Sequence, residues 1–296
     1  MSLIESALEK LRRVGDPGAQ RAVPAPRPLT TGTAPKAAPV ILPPARDYIH
    51  KRIALDPTGL RNAGYLPREG LERRFADHYR QIKRPLIDKA LAGGAEMRLI
   101  VVTSALPGDG KTFTSFNLAL SMARERDVSV LLVDADAPRE CISEVLGIRG
   151  ERGLLDALVD KSLDVESLVV QTDIHGFEVL PAGRRVETAP ELMASSRMDE
   201  ITARLVARHP RQLIVFDSPP LLLSSETRVL SRVAGQVVLV VRVGVTPRQA
   251  AIDAAAHVDK NKLQGLILNQ AAYSRLGGYY GYASYGEGGD ETHDAS

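Results

Sequence analysis

The chain has 296 residues, 44% hydrophobic and 25% charged, which is ordinary globular composition with room for one large domain and appendages. Its single cysteine, Cys141, excludes an internal disulfide framework and a thiolate-held cluster or redox cofactor, and a reducing compartment follows. Lys plus Arg number 38 against 36 Asp plus Glu, a balance too even to indicate nucleic acid, and apolar runs such as Val237–Val241 are far short of the roughly 18 residues that span a bilayer.

Residues 1–13 read as an amphipathic helix, because Leu3, Ile4, Ala7, Leu8 and Leu11 fall on one helical stripe and Ser2 can cap it. Such a helix is either a handle for a partner or membrane surface, or a frayed solvated segment. Residues 14–46 hold 8 of the 19 prolines and almost no large apolar residue, the composition of a disordered linker. The main domain is expected over 47–272. It opens with a helix over 68–92, whose apolar positions are Leu71, Phe75, Ile82, Leu86, Ile87 and Leu91, and Pro85 is expected to kink it or end its first half. From Arg98 onward apolar runs alternate with helical stretches: RLIVVTS, a helix from Lys111 to about Arg126, then VSVLLVDAD, FEVLPAG, QLIVFDSP, QVVLVVRVG and GLILNQA. Near-continuous apolar strands separated by helices predict an α/β fold, a doubly wound, mostly parallel sheet covered on both faces. The tail over 273–296 is rich in Gly and Tyr, has no hydrophobic period, and is expected to be flexible.

The strongest motif is Ala105-Leu106-Pro107-Gly108-Asp109-Gly110-Lys111-Thr112, which leaves a strand and enters a helix, a P-loop with Ala in place of the first Gly. Its glycines let backbone N–H groups surround phosphate oxygens, Lys111 reaches the β- and γ-phosphates, and the Thr112 hydroxyl is a Mg²⁺ ligand at a helix N-terminus that favours anions. The substitution at Ala105 is harmless if that residue keeps a negative φ. Two apolar strands end in carboxylates, VLLVDAD at Asp134 and Asp136 and LIVFD at Asp217. In an open parallel sheet these ends line the ligand crevice, and carboxylates gathered there call for a cation, although capping aspartates in βα loops also occur. In the tail, Tyr273, Tyr279, Tyr280, Tyr282 and Tyr285 fall within 13 residues after a stretch from Gln81 to Ala272 without tyrosine. With little to pack against, these phenols are either sticky low-complexity residues or substrates presented in turn to a phosphoryl-transfer site.

ALPGDGKT, VLLVDADAPR, LIVFDSPP and the YYGYASYG tail together resemble the Walker A, Walker A′, Walker B and tyrosine cluster of the bacterial tyrosine kinases (BY-kinases) of polysaccharide export, over roughly residues 70 to 286. SLIESALEKL, the linker and HYRQIKRPLI further resemble the exosortase-associated tyrosine autokinase branch. The resemblance implies a P-loop NTPase of the deviant Walker A, MinD-like type that uses ATP and Mg²⁺ to phosphorylate its own tail in trans. It gives Lys111, Asp134, Asp136 and Asp217 catalytic roles, with the P-loop 105–112 on the nucleotide and Thr112, Asp134 and Asp217 on the metal. On this resemblance Asp136 is expected to accept the tyrosine proton. The Walker A′ motif departs from the family in that Pro138 precedes Arg139. Asp77, Arg80 and Lys83 match the family's Glu-x-x-Arg-x-x-Arg helix that docks subunits into a ring, with Asp for Glu and Lys for Arg. Implied partners are further copies of the chain, a membrane-spanning chain-length determinant (polysaccharide copolymerase) as activator, and a tyrosine phosphatase, with no nucleic acid. The implied location is cytoplasmic, at the inner membrane through a partner. The competing readings are a MinD/ParA-like positioning ATPase, which usually carries a second Lys where Leu106 and Pro107 stand, and a non-catalytic ATP-binding scaffold.

Overall fold

The computed structural model describes residues 48–136 and 141–271. The helix expected over 2–13, the linker and the tyrosine tail lie outside the described residues.

The apolar runs build one eight-stranded sheet: β1 (Arg52–Ile53), β2 (Leu99–Ser104), β3 (Ser129–Asp134), β4 (Val170–Thr172), β5 (Phe177–Leu180), β6 (Gln212–Asp217), β7 (Gln236–Arg242) and β8 (Leu263–Asn269). The spatial order is β1-β4-β5-β3-β6-β2-β7-β8. Every pairing is parallel except β4 with β5. Alternation of side chains across the pleat divides the core into two layers. Leu99, Val101, Leu131, Val133, Ile214 and Phe216 pack on one face, while Ile100, Val102, Val130, Leu132, Leu213 and Val215 pack on the other.

Helices cover both faces: α1 (Pro57–Asn62), α2 (Glu72–Ala92), α3 (Lys111–Ala123), α4 (Cys141–Val145), α5 (Leu154–Val159), α6 (Ala189–Met193), α7 (Ser196–Arg208), α8 (Ser225–Val233) and α9 (Arg248–Ala256). α1 starts where Asp56 accepts a hydrogen bond from Thr58 N and Pro57 supplies a first helical residue with no N–H to satisfy. α2 runs as one helix through Pro85, so of the two expectations, a kink or an end to its first half, the second is not met. Pro85 and Gln81 are both exposed, so the carbonyl freed four residues before the proline faces solvent.

α2 packs along α3, the helix that carries the P-loop lysine. Phe75 meets Phe113 edge to face at 5.7 Å, and buried Tyr79 hydrogen-bonds Thr114. Lys83 lies inside this contact, donating to Ser121 O at 2.5 Å and pairing with Glu125 Oε1 at 2.9 Å. This corrects the reading of Lys83 as a neighbour-facing residue in line with Asp77 and Arg80. Six residues advance a helix by about 600°, so Lys83 stands about 120° around the axis from Asp77 and faces its own fold. Asp77 and Arg80 remain exposed and pair with each other, Arg80 Nη1 donating to Asp77 Oδ1 at 2.9 Å.

Candidate active site

The P-loop connects β2 to α3 at the carboxyl edge of the sheet, as the sequence predicts. Gly108 and Gly110 adopt φ of 85° and 91°, a left-handed conformation that suits glycine. Ala105 is fully buried and keeps a non-positive φ, since Gln270 is the one non-glycine with positive φ among the described residues. Replacing the first glycine of the motif by alanine is therefore free of strain.

The buried Asp109 carboxylate stitches the loop together. Its Oδ2 accepts from Leu106 N at 3.0 Å and its Oδ1 accepts from the Thr246 hydroxyl at 2.5 Å. The Asp109 carbonyl accepts from Asn269 Nδ2 at 2.9 Å, at the end of β8. Thr246 and Asn269 are supports that sequence reading missed, for they come from positions 137 and 160 residues away. One signal was available for Asn269: like Asp134 and Asp217, it is a polar residue closing an apolar strand.

Lys111, Asp134, Asp136 and Asp217 converge beside the loop, and all four are buried. Lys111 Nζ pairs with Asp136 Oδ2 and lies 3.3 Å from the Thr112 hydroxyl. Asp134 and Asp217 end neighbouring strands β3 and β6 as register partners. Asp134 Oδ2 accepts from both Ser143 N (2.9 Å) and Ser143 Oγ (2.7 Å), and the Asp136 N–H also favours the charged carboxylate, while Oδ1 makes no well-formed hydrogen bond. The Thr112 hydroxyl lies close enough to Asp217 to favour its charged form, although neither Asp217 oxygen makes a well-formed hydrogen bond. Burial pushes the Asp134 carboxyl up to about 6, against the Ser143 hydrogen bonds that favour its charged form. Burial pushes Asp217 up to about 7; the nearby Lys111 charge opposes this and the Asp134 and Asp136 charges add to it.

Three buried carboxylate oxygens with no well-formed hydrogen bond are expensive unless a cation meets them. The same corner offers glycine backbone turned toward an anion and the positive end of α3. The residues present therefore fit a phosphate-bearing ligand together with a hard, oxygen-seeking cation. Ser143, on α4, is a further residue that sequence reading missed, because the stretch between it and Asp134 carries no periodic signal. The five tail tyrosines lie outside the described residues, as does Arg139.

The sequence profile of the AAA domain family matches residues 97–257. Tyrosine-protein kinase YwqD of Bacillus subtilis (strain 168) is 32% identical over 190 residues, covering 63% of this chain and 78% of the relative. Tyrosine-protein kinase wzc of Salmonella typhimurium is 32% identical over 197 residues, but this chain spans only 26% of its length. Among solved structures, the kinase domain of VpsO superposes with a TM-score of 0.57 at 28% identity, covering 69% of this chain and all of that one. The kinase domain of Escherichia coli tyrosine kinase ETK shares the fold at a TM-score of 0.59 and 23% identity, covering 76% and 99%. A P-loop fused to converging strand-end carboxylates, together with these likenesses, identifies the chain as a member of the AAA-domain P-loop family and, within it, of the bacterial tyrosine-protein kinases.

Proposed function

We propose that this chain is an ATP- and Mg²⁺-dependent tyrosine autokinase that phosphorylates Tyr273, Tyr279, Tyr280, Tyr282 and Tyr285 in trans within a ring of its own copies, and thereby regulates exopolysaccharide chain length or export. The observation that carries the reading is the meeting of Lys111 with three buried carboxylates, two of which have oxygens with no well-formed hydrogen bond. When bound, the magnesium nucleotide supplies the transferable phosphoryl group and neutralises its charge. The chain's own residues do the rest. The N–H groups of the P-loop and the Lys111 ammonium bind the phosphates, and Thr112, Asp134 and Asp217 would hold the cation. Asp136 takes the phenolic proton, which a free tyrosine with a pKa near 10 does not surrender readily at neutral pH. The Lys111–Asp136 ion pair links the residue that grips phosphate to the residue that receives the proton.

No helix among the described residues is long and apolar enough to cross a membrane. In this reading the enzyme works at the cytoplasmic side of the inner membrane through a membrane-spanning chain-length determinant, and a tyrosine phosphatase resets the tail. Asp77 and Arg80 are the ring contacts retained in the proposal. Mapping phosphotyrosines on the purified full chain after incubation with and without Mg-ATP tests it, with Lys111→Met as control. Phosphate on the tail tyrosines of the wild-type chain and none on the variant is expected, whereas phosphotyrosine on Lys111→Met refutes the site.

A further inference from the structure

The loop after β5 holds an arginine by its stem and leaves its head exposed. β5 lies beside β3, so this loop, residues 181–188, runs along the carboxyl edge next to Asp134. It is tied to the site by Ala182 N, which donates at 3.1 Å to the Ser143 hydroxyl that itself donates to Asp134. Asp156, buried on α5, accepts from Gly153 N and Arg184 N at 3.0 Å each and from Arg184 Nε at 2.6 Å. Two backbone donors already anchor that carboxylate. The third clamps the guanidinium at one edge while its side chain remains 70% exposed. A long cation fixed at its stem and open at its head is preorganised for an anion, because its rotamer entropy has been removed in advance.

Two more arginines sit beside it. A Cβ added to Gly153 would stand 2.6 Å from Gly183 N, so those two glycines bring their loops into direct contact. Arg152 immediately precedes Gly153, Arg184 immediately follows Gly183, and Arg185 comes next. Arg152 and Arg185 are exposed, and neither forms an ion pair among the described residues. The acidic groups near them are Glu187 on the same loop, Asp160, which feels the Arg152 charge, and Glu151, already paired with Lys51 at 2.6 Å.

The complementary charge is in the sequence of the tail. Beyond Tyr285 the chain reads GEGGDETHDAS, with Glu287, Asp290, Glu291 and Asp294 and no Lys or Arg. We propose that Arg152, Arg184 and Arg185 form a docking rim that recognises the acidic end of a second copy's tail, and so selects which tyrosines enter the crevice. This rests on the autokinase reading and adds its acceptor specificity. Ala271 to Glu287 is 16 residues, at most about 55 Å when extended, which reaches an adjoining crevice. With the acidic end held at the rim, the tyrosines between it and the sheet lie across the mouth of the site.

The test uses full-length chains in mixed reactions. The acceptor carries Lys111→Met and an intact tail; the enzyme has its five tail tyrosines changed to Phe. A second acceptor adds Glu287→Gln, Asp290→Asn, Glu291→Gln and Asp294→Asn. The neutral tail is expected to raise the acceptor KM about five- to tenfold with kcat little altered, as several partly exposed charge pairs together would. Half-molar salt should erase the difference. In the enzyme, Arg152→Glu with Arg185→Glu, which leaves the buried Asp156 pair intact, should weaken the acidic tail similarly. Combining the enzyme and tail changes should cost no more than either alone, and an acceptor with Lys at the four acidic positions should recover on the Glu enzyme. Equal KM for acidic and neutral tails, or fully additive losses, overturns the rim. A loss of nucleotide affinity by calorimetry in the arginine variant also overturns it, reassigning these residues to the nucleotide. No phosphotyrosine on any acceptor from the active enzyme would instead defeat the kinase reading itself.

Discussion

Asp134 and Asp217 face each other as register partners at the ends of β3 and β6, and burial raises both carboxyls, to about 6 and about 7. Two carboxylates placed side by side without solvent repel one another as well as losing hydration. A cation between them would relieve both costs, and without one their protonation contributes to stability.

The sign of the pH effect follows directly. An unfolded Asp titrates near 3.9, so from about pH 4 to about pH 7 the folded chain binds more protons than the unfolded one, and its stability falls as pH rises through that window. Thermal melts of the metal- and nucleotide-free chain should show Tm declining toward neutral pH. Asp217→Asn should shrink that decline and stabilise the free chain near pH 8 by about 1–3 kcal/mol while abolishing phosphorylation. A Tm independent of pH across the window would contradict the buried-carboxylate account.

Asp136→Asn is expected to separate binding from chemistry. The variant frees Lys111 from its anionic partner, so nucleotide affinity should hold or rise, while phosphorylation falls by about 10² or more through loss of the proposed proton acceptor. Parallel loss of both, measured by calorimetry and by phosphotyrosine formation, would make Asp136 a cation holder instead.

Arg80 and Lys83 should part company. Lys83→Ala removes a buried ammonium from Ser121 and Glu125 and should lower stability by about 1–3 kcal/mol. Arg80→Ala, on the exposed face, should leave Tm nearly unchanged and reduce molecular mass in light scattering under activating conditions. If Lys83→Ala dissociates the assembly at unaltered Tm, the inward placement of Lys83 is irrelevant to its role.

The two P-loop glycines should also differ. A Cβ at Gly110 would stand 2.0 Å from Asn269 Nδ2 in addition to the left-handed φ, whereas at Gly108 nothing lies within 4 Å. Gly108→Ala should cost about 1–2 kcal/mol from backbone strain alone. Gly110→Ala should cost more and also weaken nucleotide binding, because Asn269 must release the loop. Equal Tm shifts for the two variants would show that the Asn269 contact does not matter.

The chemistry-bearing part of the fold was legible because it is written locally. Six apolar runs marked the long strands, and β2, β3 and β6 deliver Lys111, Asp134 and Asp217 to one edge by topology alone. β1 and β4 escaped notice, since strands of two and three residues carry no alternation to read. The predicted end of the P-loop helix near Arg126 overran Ala123, because Arg124, Glu125 and Arg126 are good helix formers with no sequence stop signal. What sequence could not supply was support from a distance: Ser143 under Asp134, and Thr246 and Asn269 under the P-loop. The hydroxyls have no distinctive spacing, and the place of Asn269 at a strand end does not say which loop it meets; only folding gives them partners.

Asn269 closes edge strand β8 and holds the P-loop carbonyl, while the next residue, Gln270, turns the chain away at φ 56°. The place where a C-terminal deletion begins therefore decides what it removes. A chain cut after Ala271 is stripped of the five tail tyrosines yet keeps its P-loop braced. A chain cut only three residues earlier loses the brace as well, and an inactive product of that longer deletion would say nothing about the tyrosines.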